Sequence, residues 1–504
     1  MLALASWSYL LTWSASVRFE VLDRFYAGSF VGWMIGLTAA GMLVVLAIGV
    51  LDRRRSLDRR YAAGAMTVLL IQVWPVFQPI HERAAALGGS AASWTATLIV
   101  WGALLILTFR VSADHSLLAV FWVVATFLVA VPAFDAITFV ATAPGLTHDR
   151  SAAGPIVTAS GHSPDVYVVV TDAYSRSDVL HEDFGFDNDA FYRSLESHGL
   201  DIVPGATSNY SNTALSIASL IEADYPRTGT NLTREDRLVL QSIHSGDGAL
   251  FDHFRSAGYE THLFENAWTF SGCAPPVEHC HSSSAWTELD YEISRRTPLQ
   301  DLIPALRVNP WVRGSVRQLQ NAATLASQPA PGPRFVFLHA LIPHPPFHLT
   351  ASCEEFAVPH LEGYVRITGV PGVADDLRKN AYVEQLRCAN ALLLDLVAAV
   401  PRDAAILITA DHGATFRDAQ PGLSETWTSH DLLGRFAILM AVRLPADCEP
   451  LDPDATIIDA SARLMSCLTG RLERDIPRRH FVMTQSDDGQ RLLEATDVMA
   501  GTTR

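Results

Sequence analysis

Apolar residues follow two regimes along the chain. Up to about residue 140 they come in long, nearly uncharged runs, and beyond residue 165 they come as short β-branched runs alternating with helix-period stretches. Residues 29–51 (SFVGWMIGLTAAGMLVVLAIGVL) contain no charge, and 61–80, 93–109 and 115–134 are similar. Each approaches the roughly 20 apolar residues that a bilayer requires, so four spanning helices are expected. The shorter LALASWSYLLTW at 2–13 fits a fifth span, an interfacial helix or part of a signal, although the chain lacks the basic start of a cleaved signal peptide. The loop LDRRRSLDRR (51–60) holds five arginines against one in HERAAALGGSAAS (81–93), which puts the former in the cytoplasm and everything after about residue 140 outside. Arg18 and Arg24 fit that orientation cleanly only if the first segment spans, so the bundle has four helices, or five.

Residues 141–164 are small, polar and rich in Pro and Gly without periodicity, the signature of a linker. The remaining residues, 165–504, alternate strand-like and helical stretches, as expected of an α/β domain with a central, mostly parallel sheet. Its apolar runs end in chemistry. Ile406–Ala410 reads as a buried strand closing in Asp411, His412 and Gly413, and Val166–Thr171 leads into Asp172. FVFLHALIPHPPF (335–347) carries His339 and His344. Open α/β sheets bind ligands beyond the carboxyl ends of their strands, and carboxylates beside an imidazole suit a divalent metal. In SNYSNTALSIASLI (208–221), Thr213 opens a segment of helical spacing. A hydroxyl there has the positive end of the helix dipole behind it, which favours alkoxide formation and an incoming phosphate; a plain N-cap at Asn212 or Thr213 is the competing reading.

These four ordered motifs resemble the alkaline phosphatase and sulfatase superfamily, specifically its membrane-anchored bacterial branch, which includes lipoteichoic acid synthases and phosphoethanolamine transferases. The resemblance spans roughly 165–485, and Asp-His-Gly after a strand and the His-x4-His spacing followed by Pro are its more specific parts. The segments FGFDNDAF, HPPF and YVEQLRCAN look closest to sulfatase-like members of unassigned substrate. The resemblance implies one divalent ion, zinc or manganese, held by Asp172, Thr213, Asp411 and His412, with Thr213 as nucleophile through a phospho-threonine intermediate. His344 would serve in catalysis, and His339, His344, His430 and Asn212 in contacts to substrate. Two departures stand out. Asp172 replaces the Glu of many transferase relatives, and the neighbours of Thr213 differ from theirs, which leaves Ser211 as a fallback nucleophile. No C/S-x-P-x-R sequence lies near Thr213, so a formylglycine sulfatase is less expected than a phosphoryl enzyme.

Charge and cysteine narrow the classes further. The first 140 residues hold 9 basic and 7 acidic residues, leaving 28 and 46, a net charge of −18, to the remainder. An acidic domain is a poor partner for nucleic acid. All six cysteines (273, 280, 353, 388, 448 and 467) fall in the external part, as expected of disulfides in an oxidising compartment. Proximity suggests 273–280 and 448–467, leaving 353 with 388; a zinc site using Cys273, His279, Cys280 and His281 is the alternative. The function expected is a transferase of the bacterial plasma membrane that moves a phospho-substituent from a lipid donor to an envelope glycan or lipid on the periplasmic side. A sulfatase-like hydrolase and a non-catalytic sensor or scaffold are the competing readings.

Overall fold

The computed structural model describes residues 27–51, 57–72, 74, 81, 83, 91–104, 106, 163–228, 232, 234–266, 272–274, 276–284, 286–295, 297, 310–355, 375–414, 427–470, 476–486 and 489–502. The chain divides into two compact units, Met1–Gly145 with Trp286–Arg307, and Leu146–Ala285 with Val308–Arg504.

In the first unit, helices α1 (Ala27–Leu51) and α2 (Leu57–Gln72) pack through Leu37, Val45 and Val68. A side chain at Gly64 would sit 2.7 Å from the Gly41 carbonyl, so glycine there is what permits the close approach. The helix Glu288–Arg295, distant in sequence, belongs to the same unit, and Trp33 Nε1 donates to Asp290 at 2.8 Å. Helix α1 carries no charged residue and leaves Ile35, Leu43, Leu46, Val50 and Leu51 exposed. Among the described residues no helix is long and apolar enough to cross a membrane, so the expected bundle of spans is not shown. The expected span 115–134, the segment 2–13 and all but the last two positions of the linker 141–164 lie outside the described residues.

The second unit is built on a seven-stranded sheet of order β2-β7-β6-β1-β5-β3-β4. Its strands are β1 (Val166–Asp172), β2 (Asp201–Ile202), β3 (Glu260–Glu265), β4 (His279–Ser282), β5 (Arg334–Pro343), β6 (Ala405–Ala410) and β7 (Met440–Arg443). Strands β6, β1, β5, β3 and β4 run parallel, while β7 lies antiparallel to both β6 and β2. A separate hairpin pairs β8 (Phe481–Ser486) with β9 (Gly489–Glu494).

Every residue of β1, β5 and β6 is buried, which explains why their sequences read as continuous apolar runs rather than as alternation. Fully burying each Val, Leu or Ile in such a layer contributes roughly 1.5–3 kcal/mol. At the amino end of the sheet, Asp165 Oδ1 accepts the Arg334 backbone N–H at 2.8 Å and its Oδ2 accepts Arg334 Nε at 2.9 Å. The polar groups of the three central strands otherwise gather at the opposite, carboxyl end.

Helices α3 (Ser177–Phe184), α4 (Thr213–Glu222), α5 (Arg234–His244), α6 (Asp375–Ala399) and α7 (Ser429–Phe436) surround that end. Helix α6 braces three of the loops there. The Tyr382 hydroxyl donates to the Ala173 carbonyl at 2.9 Å and accepts the Ser175 N–H at 3.3 Å. Gln385 donates to the His344 carbonyl at 2.8 Å and accepts the His348 N–H at 3.0 Å. Asn390 donates to Asn188 at 2.8 Å and accepts the Tyr174 hydroxyl, closing a triangle with the Asn188-to-Tyr174 bond. Cys388, on the same helix, is bonded to Cys353.

The three disulfides are 273–280, 353–388 and 448–467, the pairs that sequence proximity suggested. The cysteine ligands of the alternative zinc reading are consumed by the first of them. Closing a loop of separation 35 removes chain entropy worth about 3–4 kcal/mol. Replacing Cys353 and Cys388 together by serine is therefore expected to lower the thermal midpoint by several degrees, read by tryptophan fluorescence.

Acid has a defined effect on this fold. Burial pushes His244 down to about 3, and His348 and His480 each to about 4, from an ordinary 6.5. A histidine depressed in the folded state costs nothing above its unfolded pKa, and destabilises as pH falls from there towards the folded value. Stability should thus decline between about pH 6.5 and pH 4. Thermal scans across that range check it, and a flat profile would contradict it.

Candidate metal centre

Asp172 is the last residue of β1, where the pairing with β5 shifts register between Thr171 and Asp172. Ala173 then takes a left-handed conformation (φ 60°), turning the chain sharply away from the sheet. Asp411 follows β6 on the adjacent strand, and its backbone N–H still bonds the Thr171 carbonyl at 3.3 Å. Its carboxylate is fixed on one side only. Oδ1 accepts the backbone N–H groups of Ala173 at 3.1 Å and His412 at 2.8 Å, which leaves Oδ2 buried without a hydrogen bond. Asp172 Oδ1 is likewise buried without one.

His412 faces both of these oxygens. Its Nδ1 lies 3.1 Å from the Gly413 carbonyl, so that nitrogen carries the proton and Nε2 presents a lone pair. Nε2 lies 3.3 Å from Asp411 Oδ2 and 3.6 Å from Asp172 Oδ1. The imidazole is neutral, because burial and then the Arg435 charge hold it well below its ordinary value.

The helix α4 delivers the hydroxyl. Asn212 caps it through Oδ1, which accepts the Leu215 N–H at 3.2 Å, and Thr213 is its first residue. Every residue from Thr213 to Ile221 is buried. Thr213 Oγ1 lies 3.1 Å from His412 Nε2. Two tethers position the first turn: Ser216 Oγ donates to the Asp411 carbonyl, and His244 Nε2 donates to the Ala214 carbonyl at 2.7 Å.

Two carboxylate oxygens without hydrogen bonds and an imidazole lone pair thus converge in a buried cluster. The repulsion is visible in titration. Burial, and then the Asp172 charge, push Asp411 up to about 7. Burial alone would raise Asp172 too, but His344, His339 and His412 outweigh it and hold Asp172 below the usual carboxylate range. A divalent cation fits this donor set of two carboxylates, one imidazole and one hydroxyl, and relieves the repulsion. Asp172, Asp411 and His412 each offer a ligand atom within 4.8 Å of the others.

The other expected residues divide. His339 joins the cluster, with Nε2 3.5 Å from Asp172 Oδ2 and its ring held by Asn266. The His344 ring stands 6.3 Å from that of His412 and is half-buried. His430, in the first turn of α7, pairs instead with Asp183 at 2.7 Å. Ser211 accepts the Met483 N–H at 2.9 Å through its hydroxyl and so bridges to β8.

Arg435 was not picked out by sequence reasoning. It donates to the Ser211 carbonyl at 2.6 Å and to the Gly413 carbonyl at 3.4 Å, tying the loop before Thr213 to that of His412. Gly413 is required by sterics, since a Cβ there would sit 2.2 Å from the Gly434 carbonyl. Helix α7 therefore packs backbone to backbone on the Asp-His-Gly turn.

Replacing Asp411 by Asn keeps the Oδ1 acceptor and removes the repulsion. In chelator-treated protein near pH 7 this variant should be more stable than wild type, by on the order of 1–2 kcal/mol, and should gain little on adding zinc or manganese. The sign follows from the raised carboxyl pKa: without metal, the contribution of this one carboxyl to stability falls as pH rises from about 4 through 7, so the gap between the Asn variant and wild type widens over that window. Thermal unfolding with and without metal is the check, and an Asn variant less stable than chelated wild type would contradict it.

Residues 164–435 match the family model described as Sulfatase, a span of more than half of the chain that includes each of the four expected metal ligands. No curated protein matches the chain. Among solved structures, similarity extends to the C-terminal periplasmic domain of EcEptC from Escherichia coli, at 12% identity and a TM-score of 0.41, covering 67% of this chain and 95% of that one. It extends also to the phosphonate monoester hydrolase SpPMH from Silicibacter pomeroyi, at 16% identity and 0.41, covering 64% and 80%. A third is BT1596, a 2-O GAG sulfatase, at 11% identity and 0.39, covering 67% and 86%. On the strength of the sequence match, the chain belongs to the sulfatase family of the alkaline phosphatase superfamily.

Proposed function

We propose that the protein is a metal-dependent phosphoryl-group transferase of the bacterial plasma membrane. In this reading it moves a phospho-substituent, of the phosphoethanolamine or phosphoglycerol kind, from a lipid donor to an envelope glycan or lipid. The observation that carries it is Thr213, a hydroxyl at the amino end of a buried helix, 3.1 Å from His412 Nε2 and beside two carboxylates. A threonine in that place suits nucleophilic attack on phosphorus rather than sulfatase chemistry through a formylglycine.

Asp172, Asp411, His412 and Thr213 would hold the ion, zinc or manganese, whose Lewis acidity lowers the hydroxyl pKa and offsets charge on the transferring group. Thr213 Oγ, its proton already given up to solvent, attacks phosphorus in line as the alkoxide, forming a P–O bond as the bond to the lipid alcohol breaks, and it is released again as the alkoxide. His344, half-buried beside His412, protonates the departing alkoxide, and His339 steadies the phosphoryl oxygens. The acceptor hydroxyl then attacks phosphorus, gives up its proton to the now neutral His344, and frees Thr213.

The location has its own support. Three disulfides suit an oxidising, extracytoplasmic compartment. The uncharged runs at 29–51, 61–80, 93–109 and 115–134 of the sequence would anchor the domain where a lipid donor is delivered.

Peptide mass spectrometry of protein purified from its own membranes tests the reading. A substoichiometric adduct on the peptide containing Thr213, absent from Thr213→Ala, is expected, and its mass identifies the group moved. Bound metal without an adduct would favour a hydrolase with fast turnover. Folded protein with neither would contradict catalysis and leave a scaffold.

A further inference from the structure

The edge of the sheet farthest from β2 carries a second concentration of metal-binding side chains. Strands β3 and β4 run parallel there, with His262 opposite His279 and Phe264 opposite His281. Alternate residues of a strand share a face, so Glu260, His262, His279 and His281 all project from the same side of this edge. Neighbouring strands stand about 4.8 Å apart, which brings paired side chains within reach of a shared ion.

The side chains meet. One ligand atom from each of Glu260, His262 and His279 lies within 4.8 Å of the other two, and His279 Nε2 is 3.8 Å from Glu260 Oε2. The rings of His262 and His279 stack at 4.4 Å. His262 is 5% exposed, and its Nε2 is buried without a hydrogen bond. Its Nδ1 lies 2.9 Å from His281 Nε2. If Nδ1 is the donor in that pair, the lone pair of His262 resides on Nε2, the orphaned atom. This is the arrangement of a ligating histidine whose other nitrogen is held by a neighbour.

The surroundings agree. Burial and the adjacent imidazoles of His279 and His281 push His262 down to about 3, which keeps it neutral. The remaining cation facing it, Arg334, is held on Asp165 through Nε at 2.9 Å. Glu260 and His279 are about half exposed, so an ion has a path in from solvent. The Cys273–Cys280 disulfide pins β4 from the opposite face, since Cys280 alternates with His279 and His281.

We propose that Glu260, His262 and His279 form a second divalent-metal site, selective for a borderline ion such as zinc, with His281 fixing the tautomer of His262. Two imidazoles and a carboxylate are a common zinc donor set. The site would clasp the short edge strand β4 to β3, and it is independent of the chemistry at Asp172.

The test uses the full chain, stripped with chelator and dialysed against buffered free zinc, with bound zinc measured by elemental mass spectrometry. The double variant Asp172→Asn/Asp411→Asn lacks the central cluster and should retain one equivalent. Adding His279→Gln, a change at an exposed position, should remove that equivalent while circular dichroism of the zinc-free protein stays unchanged. In the otherwise wild-type chain, His279→Gln alone should bind one equivalent fewer than wild type, which covers the case in which the double variant does not fold. Copper(II) loaded into the double variant should show superhyperfine coupling to imidazole nitrogens that weakens with His279→Gln. No zinc in a folded double variant, or zinc binding indifferent to His279→Gln, would overturn the proposal.

Discussion

Two carboxylates placed where neither can be solvated are the constraint on which the second unit depends. Asp172 and Asp411 end adjacent parallel strands, so the sheet itself sets their separation, and both are essentially inaccessible to water. Two buried negative charges at that range cannot both persist without a counter-charge, and the imidazole facing them is neutral. The fold thus holds an arrangement that costs stability in isolation and is relieved by a cation. Such local conflict, kept in place by an otherwise consistent core, is characteristic of functional sites. Thr213 gains from the same geometry: helix α4 is buried along its length, so its first residue has little freedom to leave His412.

Helix α6 shows how that geometry is maintained from a distance. Tyr382, Gln385 and Asn390 follow one another along the helix, and each bonds a different loop at the carboxyl end of the sheet. Through Tyr382 the helix restrains the turn after Asp172, and through Gln385 the turn bearing His344. Loss of the Tyr382 or Gln385 contacts would shift the turn after Asp172 or the turn bearing His344 without changing either side chain.

Much of this was readable before the structure. The strands ending in Asp172 and Asp411 are nearly uninterrupted apolar runs, because strands buried on both faces need no alternation. Thr213 stood out because a polar residue opens a helix-period stretch. The disulfide pairs were suggested by proximity in sequence, and disulfides as such by an even number of cysteines confined to the part of the chain after residue 140. What could not be read were the second layers: Arg435 between two carbonyls, Asn266 behind His339, and the loop contacts of α6. These join residues up to more than 200 positions apart, as Tyr382 and Ala173 do, and no local pattern encodes such pairings. His430 illustrates the converse. It lies near Gly413 in sequence, yet it sits in the first turn of a helix whose opposite end packs on that turn, and its side chain goes to Asp183. The placement of Trp286–Arg307 with the amino-terminal unit was equally silent, since nothing in its composition separates it from the surrounding domain.

The reading turns on whether the Asp172 cluster holds a metal ion. X-ray diffraction from crystals grown with zinc or manganese, recorded on either side of the metal's absorption edge, addresses this without relying on turnover. An anomalous peak is expected at coordination distance, about 2.0–2.2 Å for zinc, from Asp172 Oδ1, Asp411 Oδ2 and His412 Nε2, with Thr213 Oγ1 alongside. No anomalous density there, with the two carboxylates instead sharing a proton, would contradict the metal centre and the transfer chemistry built on it.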